Sequence, residues 1–155
     1  MKQIQFKNSI TVDASPHDVF EHMIVLANQV GLQPLIIGVQ EISRGSDAQG
    51  QPIVDFYLVE LIRLFKVIPY HNRIRVQMTT TTDKQIHYVV KSFPRVRLWS
   101  VFEFVAEGSG TAVHETVTIT TPNFVARFVE ETAVAAHKTL LQNLKRRLEN
   151  GGAGN

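Results

Sequence analysis

The chain has 155 residues, a length that suits one domain able to bury a sizeable core. It contains no cysteine, which excludes disulfides, zinc–thiolate sites and thiol catalysis and fits a reducing compartment. Sixteen basic residues against 14 acidic ones leave a net charge of +2, a balance that argues against nucleic acid as a partner. No charged-then-apolar leader and no apolar run of membrane-spanning length stand in the sequence, so a cytoplasmic protein without a membrane span is expected.

Residues 2–13 alternate, with Ile4, Phe6, Ile10 and Val12 on one side, and predict a half-buried strand. Ser15 is a good N-cap, Pro16 fits the first helical position, and Asp18 places a negative charge in the first turn. Val19, Phe20 and Met23 can share a buried face. Gly31 and Pro34 then break the pattern, so one short helix, or two with a kink, runs from Pro16 to about Val30. Branched and aromatic runs follow at 35–43, 53–65, 66–82, 86–93, 96–107 and 111–121. The connections are short and polar: a turn at 47–52, another at 83–85, and Gly-Ser-Gly at 108–110. This is the signature of an antiparallel meander.

Residues 121–149 change period. Val125, Val129, Ala133, Ala136, Leu140, Leu144 and Leu148 recur at spacings of three and four and share one helical face, with Phe124 and Phe128 widening its start. Thr121 is the expected N-cap with Pro122 at the first helical position, or Asn123 serves instead. Lys145, Arg146 and Arg147 suit the negative end of the helix dipole, and Gly151 and Gly152 are expected to stop the helix. Residues 1–150 then form a single domain and 151–155 a disordered tail. The apolar stripe must be covered, and the preceding strands are the only cover available. The class is α+β, with segregated helices and an antiparallel sheet. Small side chains at Thr132, Ala133, Ala135 and Ala136 occupy the middle of the helix. They permit either close approach of a solid core or space for a ligand.

Strand parity assigns the inward side chains. Ile74, Val76 and Met78 share a face; so do Ile86, Tyr88 and Val90; so do Leu98, Ser100, Phe102 and Phe104. Glu60 shares parity with Val54, Phe56, Leu58 and Ile62, and Glu115 with Val113, Val117 and Ile119. Two carboxylates thus point toward an apolar interior, where burial raises a carboxyl pKa and favours a general acid/base role or a polar anchor for a ligand. Pairing with an arginine near a strand end is the structural alternative for each. The six histidines show no metal-ligand spacing, so neither a metal nor a cofactor is expected. His22 and His137 are helical and border the same interior. Tyr57, Val59, Leu61, Trp99 and Val101 fall on the outer face of the sheet, which suggests a homodimer, a docking surface, or cover by loops.

Two stretches carry a family resemblance. The segment SITVDASPHDVFEHM (9–23) places Ala-Ser-Pro and Val-Phe between a first strand and a first helix. The segment GTAVHETVTITTP (110–122) runs straight into the long helix. Together they resemble the START-like superfamily (helix-grip, SRPBCC), in its polyketide cyclase/dehydrase-like branch, over essentially the whole chain. The resemblance implies a seven-stranded antiparallel sheet curved around the C-terminal helix, with a cavity between them for a lipid, polyketide or aromatic ligand. Phe56, Leu58, Val76, Met78, Tyr88, Phe102 and Phe104 from the sheet, and Ala133, Ala136 and Leu140 from the helix, would then contact that ligand. A cyclase or dehydratase working through Glu60 and Glu115 is the alternative activity, and an interaction module using the outer sheet face a further one.

Overall fold

The computed structural model describes residues 1–81 and 84–150. Alternating and β-branched sequence produces seven strands: β1 (Lys2–Val12), β2 (Ile36–Ser46), β3 (Pro52–Leu64), β4 (Ile68–Thr81), β5 (Gln85–Ser92), β6 (Val96–Glu107) and β7 (Gly110–Thr121). They form one antiparallel sheet in the order β1-β7-β6-β5-β4-β3-β2. Strands β2 to β7 follow one another as a meander, and β1 closes the order by pairing with β7 from Lys2↔Thr121 to Val12↔Thr111. Register shifts occur only in the β2–β3 pair, so the inward parity of β3 to β7 is undisturbed.

The connection from β1 to β2 is helical. Ser15 accepts a hydrogen bond from Asp18 N at 3.1 Å and starts α1 (Pro16–Ile24), which buries Val19, Phe20 and Met23. A 3₁₀ turn over Leu26–Gln29 follows, so the kinked reading of this region holds. The long helix α2 (Ala126–Asn150) starts later than its sequence suggests. Thr121 stays in β7, paired with Lys2, and does not cap the helix. Pro122 is extended, and a 3₁₀ turn at Asn123–Val125 comes before true α geometry. Of the tight turn expected at 83–85, Asp83 lies outside the described residues, as do the glycine stop and tail at 151–155, while Lys84 N donates to Thr81 O at 3.3 Å.

Two apolar clusters hold α2 to the sheet. Leu140, Leu141 and Leu144 join a core with Met23, Phe56, Val76, Met78, Ile86, Phe102 and Val113. Val129 and Ala133, earlier in α2, pack on the β1–β7 edge with Ile4, Val117 and Ile119. The basic end of the helix does more than complement the dipole. Arg147 donates to Asn28 O at 2.8 Å and Val30 O at 2.9 Å, and Lys145 donates to Thr11 O at 2.9 Å. The C-terminal half of α2 is therefore clamped down. Its N-terminal half leans on one sheet edge through small residues, which leaves space over β3 to β6.

Candidate functional site: a cavity with a polar waist

That space is a cavity of about 440 Å³ between the first half of α2 and strands β3 to β7. Its walls are mostly apolar: Ile62, Leu64, Ile74, Val90, Leu98 and Ile119 from the sheet, and Val125, Val129, Ala133 and Ala136 from the helix side. A smaller chamber of about 90 Å³ lies behind it, lined by Met23, Phe56, Leu58, Val76, Tyr88, Phe102 and Leu140. Six residues border both: Gln33, Glu60, Ile74, Val90, Leu98 and His137. Three of these six are polar, so the two apolar chambers meet at a polar waist.

Each waist residue is held by partners. Glu60 is opposite Asn72 in the β3–β4 register, and Asn72 Nδ2 donates to its Oε2 at 3.1 Å. The same nitrogen donates to Ser92 Oγ at 2.8 Å, which extends a polar row across three strands. Burial pushes the Glu60 carboxyl above its ordinary pKa, against the opposing pull of the Asn72 hydrogen bond and of His137. Glu115 is fully buried behind the waist on β7. Its Oε1 accepts from Ser100 Oγ at 2.8 Å and lies 2.5 Å from His137 Nδ1. Its Oε2 is buried with no hydrogen-bond partner among the described residues. Phe6 packs edge-on against the His137 ring, with centroids 5.7 Å apart. In the Nδ1–H tautomer the ring donates to Glu115 and keeps its Nε2 lone pair for the cavity. Tyr88, deeper still, is held protonated chiefly by burial, and Gln29 Nε2 reaches its hydroxyl at 3.5 Å.

The residues expected at the site divide into groups. Glu60 faces the cavity as parity predicts. Glu115 points inward too, but it lines neither chamber and reaches the cavity through His137 and Ser100, which do. The two carboxylates do not form a pair. Ala133 and Ala136 line the large cavity, opposite Ile74, Val90 and Leu98, not opposite Val76, Tyr88 and Phe102. Phe56, Leu58, Val76, Tyr88, Phe102 and Leu140 line the small chamber. Met78 and Phe104 line neither: Met78 lies in the core, and Phe104 packs against Phe20 with ring centroids 6.1 Å apart. Sequence reasoning missed Asn72 and Ser92 and gave His137 no role. Its spacing carried the signal, since residue 137 stands one turn after Ala133 on the face turned to the sheet. Among the described residues no cluster of three metal-ligating side chains exists. On the outer face Arg73 stacks over the Tyr57 ring at 3.8 Å and Trp99 is exposed.

An antiparallel sheet gripping a long C-terminal helix over an internal cavity defines the helix-grip, START-like class of proteins. The family described as "Polyketide cyclase / dehydrase and lipid transport" matches residues 3–149, and the chain belongs to it. No curated protein matches the sequence. Solved structures share the fold at low identity. TTHA0849 from Thermus thermophilus is 16% identical, with 96% of this chain and 99% of that one covered and a TM-score of 0.76. A START superfamily protein from Mycobacterium smegmatis is 15% identical, over 94% and 97% of the two chains, with a TM-score of 0.73. The Zhui aromatase/cyclase from Streptomyces sp. R1128 is 15% identical, over 94% and 96%, with a TM-score of 0.67.

Proposed function

We propose that the protein binds a small, largely apolar molecule that carries at least one carbonyl or hydroxyl group. The observation that carries this reading is the cavity of about 440 Å³, apolar along its walls and polar where it narrows. Its size and lining are those of a small-molecule site. An apolar body fills the space over β3 to β6, and its polar group meets Glu60 and His137 at the waist, with Asn72 beside Glu60. Glu60 and His137 keep hydrogen-bonding capacity beyond their partners in the fold, so a ligand that uses it is favoured over a plain hydrocarbon. Native mass spectrometry of freshly purified protein, with displacement of a fluorescent apolar probe, tests the reading. A bound small molecule is expected. Protein that carries no ligand and takes up no probe would overturn it.

The Glu115–His137 contact favours a second reading, catalysis of dehydration or cyclisation on a polyketide-type substrate, as the name of the Zhui aromatase/cyclase suggests. His137 Nε2 would take the proton from a carbon next to a carbonyl. Glu60, whose carboxyl burial pushes above its ordinary pKa, would act as the acid and give a proton to the departing hydroxyl. The C–H and C–O bonds break, a carbon–carbon double bond forms and water leaves. Return of the proton from His137 to Glu60 restores the site. Glu60→Gln and Glu115→Gln should then abolish turnover while ligand affinity stays within about tenfold, or roughly 1.4 kcal/mol. Full turnover in both variants would refute this assignment.

A further inference from the structure

In a meander, alternate hairpins lie at the same end of the sheet. The β3–β4 and β5–β6 turns and the entry to α2 therefore share one end, and their inner residues Leu64, Tyr70, Phe93, Pro94, Val125 and Phe128 line the cavity. This end is its mouth. The same segments turn large apolar side chains out to solvent: Phe65 is 87% exposed, Phe124 80%, Phe93 78% and Val67 71%. Side chains this exposed, a collar around the mouth, contribute little to folding, although Phe93 and Phe124 also edge the cavity. The backbone shows the same pattern. Phe65 and Lys66 both take left-handed φ angles, 51° and 66°, in the three-residue connection 65–67, at positions where Asn-Gly would be relaxed. An exposed phenylalanine held in that conformation points to selection for contact outside the chain.

Charge identifies what it contacts. No Asp or Glu occurs at 61–82, 86–102 or 116–129, and the acids that follow on α2, Glu130 and Glu131, are paired with Lys2 and Arg127. Arg63, Lys66, Lys91, Arg95 and Arg97 are exposed there, with no ion-pair partner among the described residues. At the opposite end the turns and strand ends carry Asp47, Glu103 and Glu107. Aromatic side chains ringed by unpaired cations match an anionic lipid surface, in which the rings sit at headgroup depth and the cations meet phosphates.

We propose that the mouth docks on the surface of an anionic bilayer, so that the cavity opens toward the lipid phase. Docking of this kind goes beyond cavity binding and does not require an occupied cavity.

Flotation with lipid vesicles tests it, using neutral phosphatidylcholine against vesicles with about one-third phosphatidylglycerol. Binding to the anionic vesicles alone, weakened by added salt, is expected. Phe65→Asp and Phe93→Asp alter exposed turn residues, so circular dichroism should show an unchanged fold while binding is lost. Lys66→Glu and Arg95→Glu should each weaken binding by about fivefold or more. Absence of binding to anionic vesicles would overturn the proposal, as would equal binding to neutral ones or indifference to Phe65→Asp. Self-association abolished by Phe65→Asp, without vesicle binding, would show that a second copy of the chain covers the collar and would overturn it too. Probe uptake by wild type and Phe65→Asp reports separately on the cavity: docking can fail while uptake persists, and uptake can fail while docking persists.

Discussion

Glu115 Oε1 on β7 lies 2.5 Å from His137 Nδ1 on α2, and Ser100 Oγ on β6 donates to the same oxygen. One buried carboxylate thus fixes the ring that stands at the waist of the cavity. Glu115→Ala removes the acceptor and leaves two buried polar groups without it. A buried neutral donor left unsatisfied costs about 1–3 kcal/mol, so urea denaturation should show a loss of a few kcal/mol. The double variant Glu115→Leu/His137→Phe should recover part of it, because only the Ser100 hydroxyl is then left without its acceptor. A single variant that loses less than about 1 kcal/mol would mean the contact carries little energy.

Glu60, in the cavity wall, carries a shifted carboxyl. Burial raises its pKa above the ordinary carboxylate value. Between those two values the native state holds a proton that the unfolded state has released. Stability from this group is therefore full at low pH and falls as pH rises through that window. Glu60→Gln removes the titration. The stability of Glu60→Gln relative to wild type should increase with pH from the ordinary carboxylate range upward. Urea melts at a series of pH values check this, and a flat difference would contradict the burial of the carboxyl.

Ala136 is buried and borders the large cavity. Ala136→Trp should place the indole in open space and change stability by less than about 1–2 kcal/mol. Uptake of an apolar probe should fall sharply at the same time. A solid core would respond differently, losing more than about 3 kcal/mol through overpacking. Thermal melts with and without probe separate the two outcomes.

Gly110 opens β7 where the chain crosses the end of β1. A Cβ there would stand 2.4 Å from Val12 O, a backbone atom that cannot move aside cheaply. Gly110→Ala should cost about 1–3 kcal/mol and lower the melting temperature by roughly 2–4 °C for each of them. Gly50 is the control. It has φ +78° with open space around it, so Gly50→Ala should cost only the left-handed penalty of about 1–2 kcal/mol. An unaffected Gly110→Ala protein would mean that the two strands do not meet so closely.

Much of this architecture is local and therefore legible in the sequence. The period-two alternation in residues 53–64 and 96–104 fixes which side chains enter the core, because no bulge interrupts those strands. The three-and-four spacing from Val125 to Leu148 fixes the buried face of α2. Ser15 and Pro16 fix the start of α1. Parity alone also turned Glu60 and Glu115 inward. What each carboxylate meets there is not a local property. Glu115 finds His137 22 residues away, and Asn72 and Ser92 join Glu60 only once three strands stand side by side. The start of α2 shifted to Ala126 because pairing of Thr121 with Lys2, at the other end of the chain, outweighed a local capping preference. The alanine-rich midsection was compatible with a solid core or a void. The tertiary structure decided for the void, because the clamp of Arg147 and Lys145 at one end and the β1–β7 edge at the other set the standoff of the helix from the sheet.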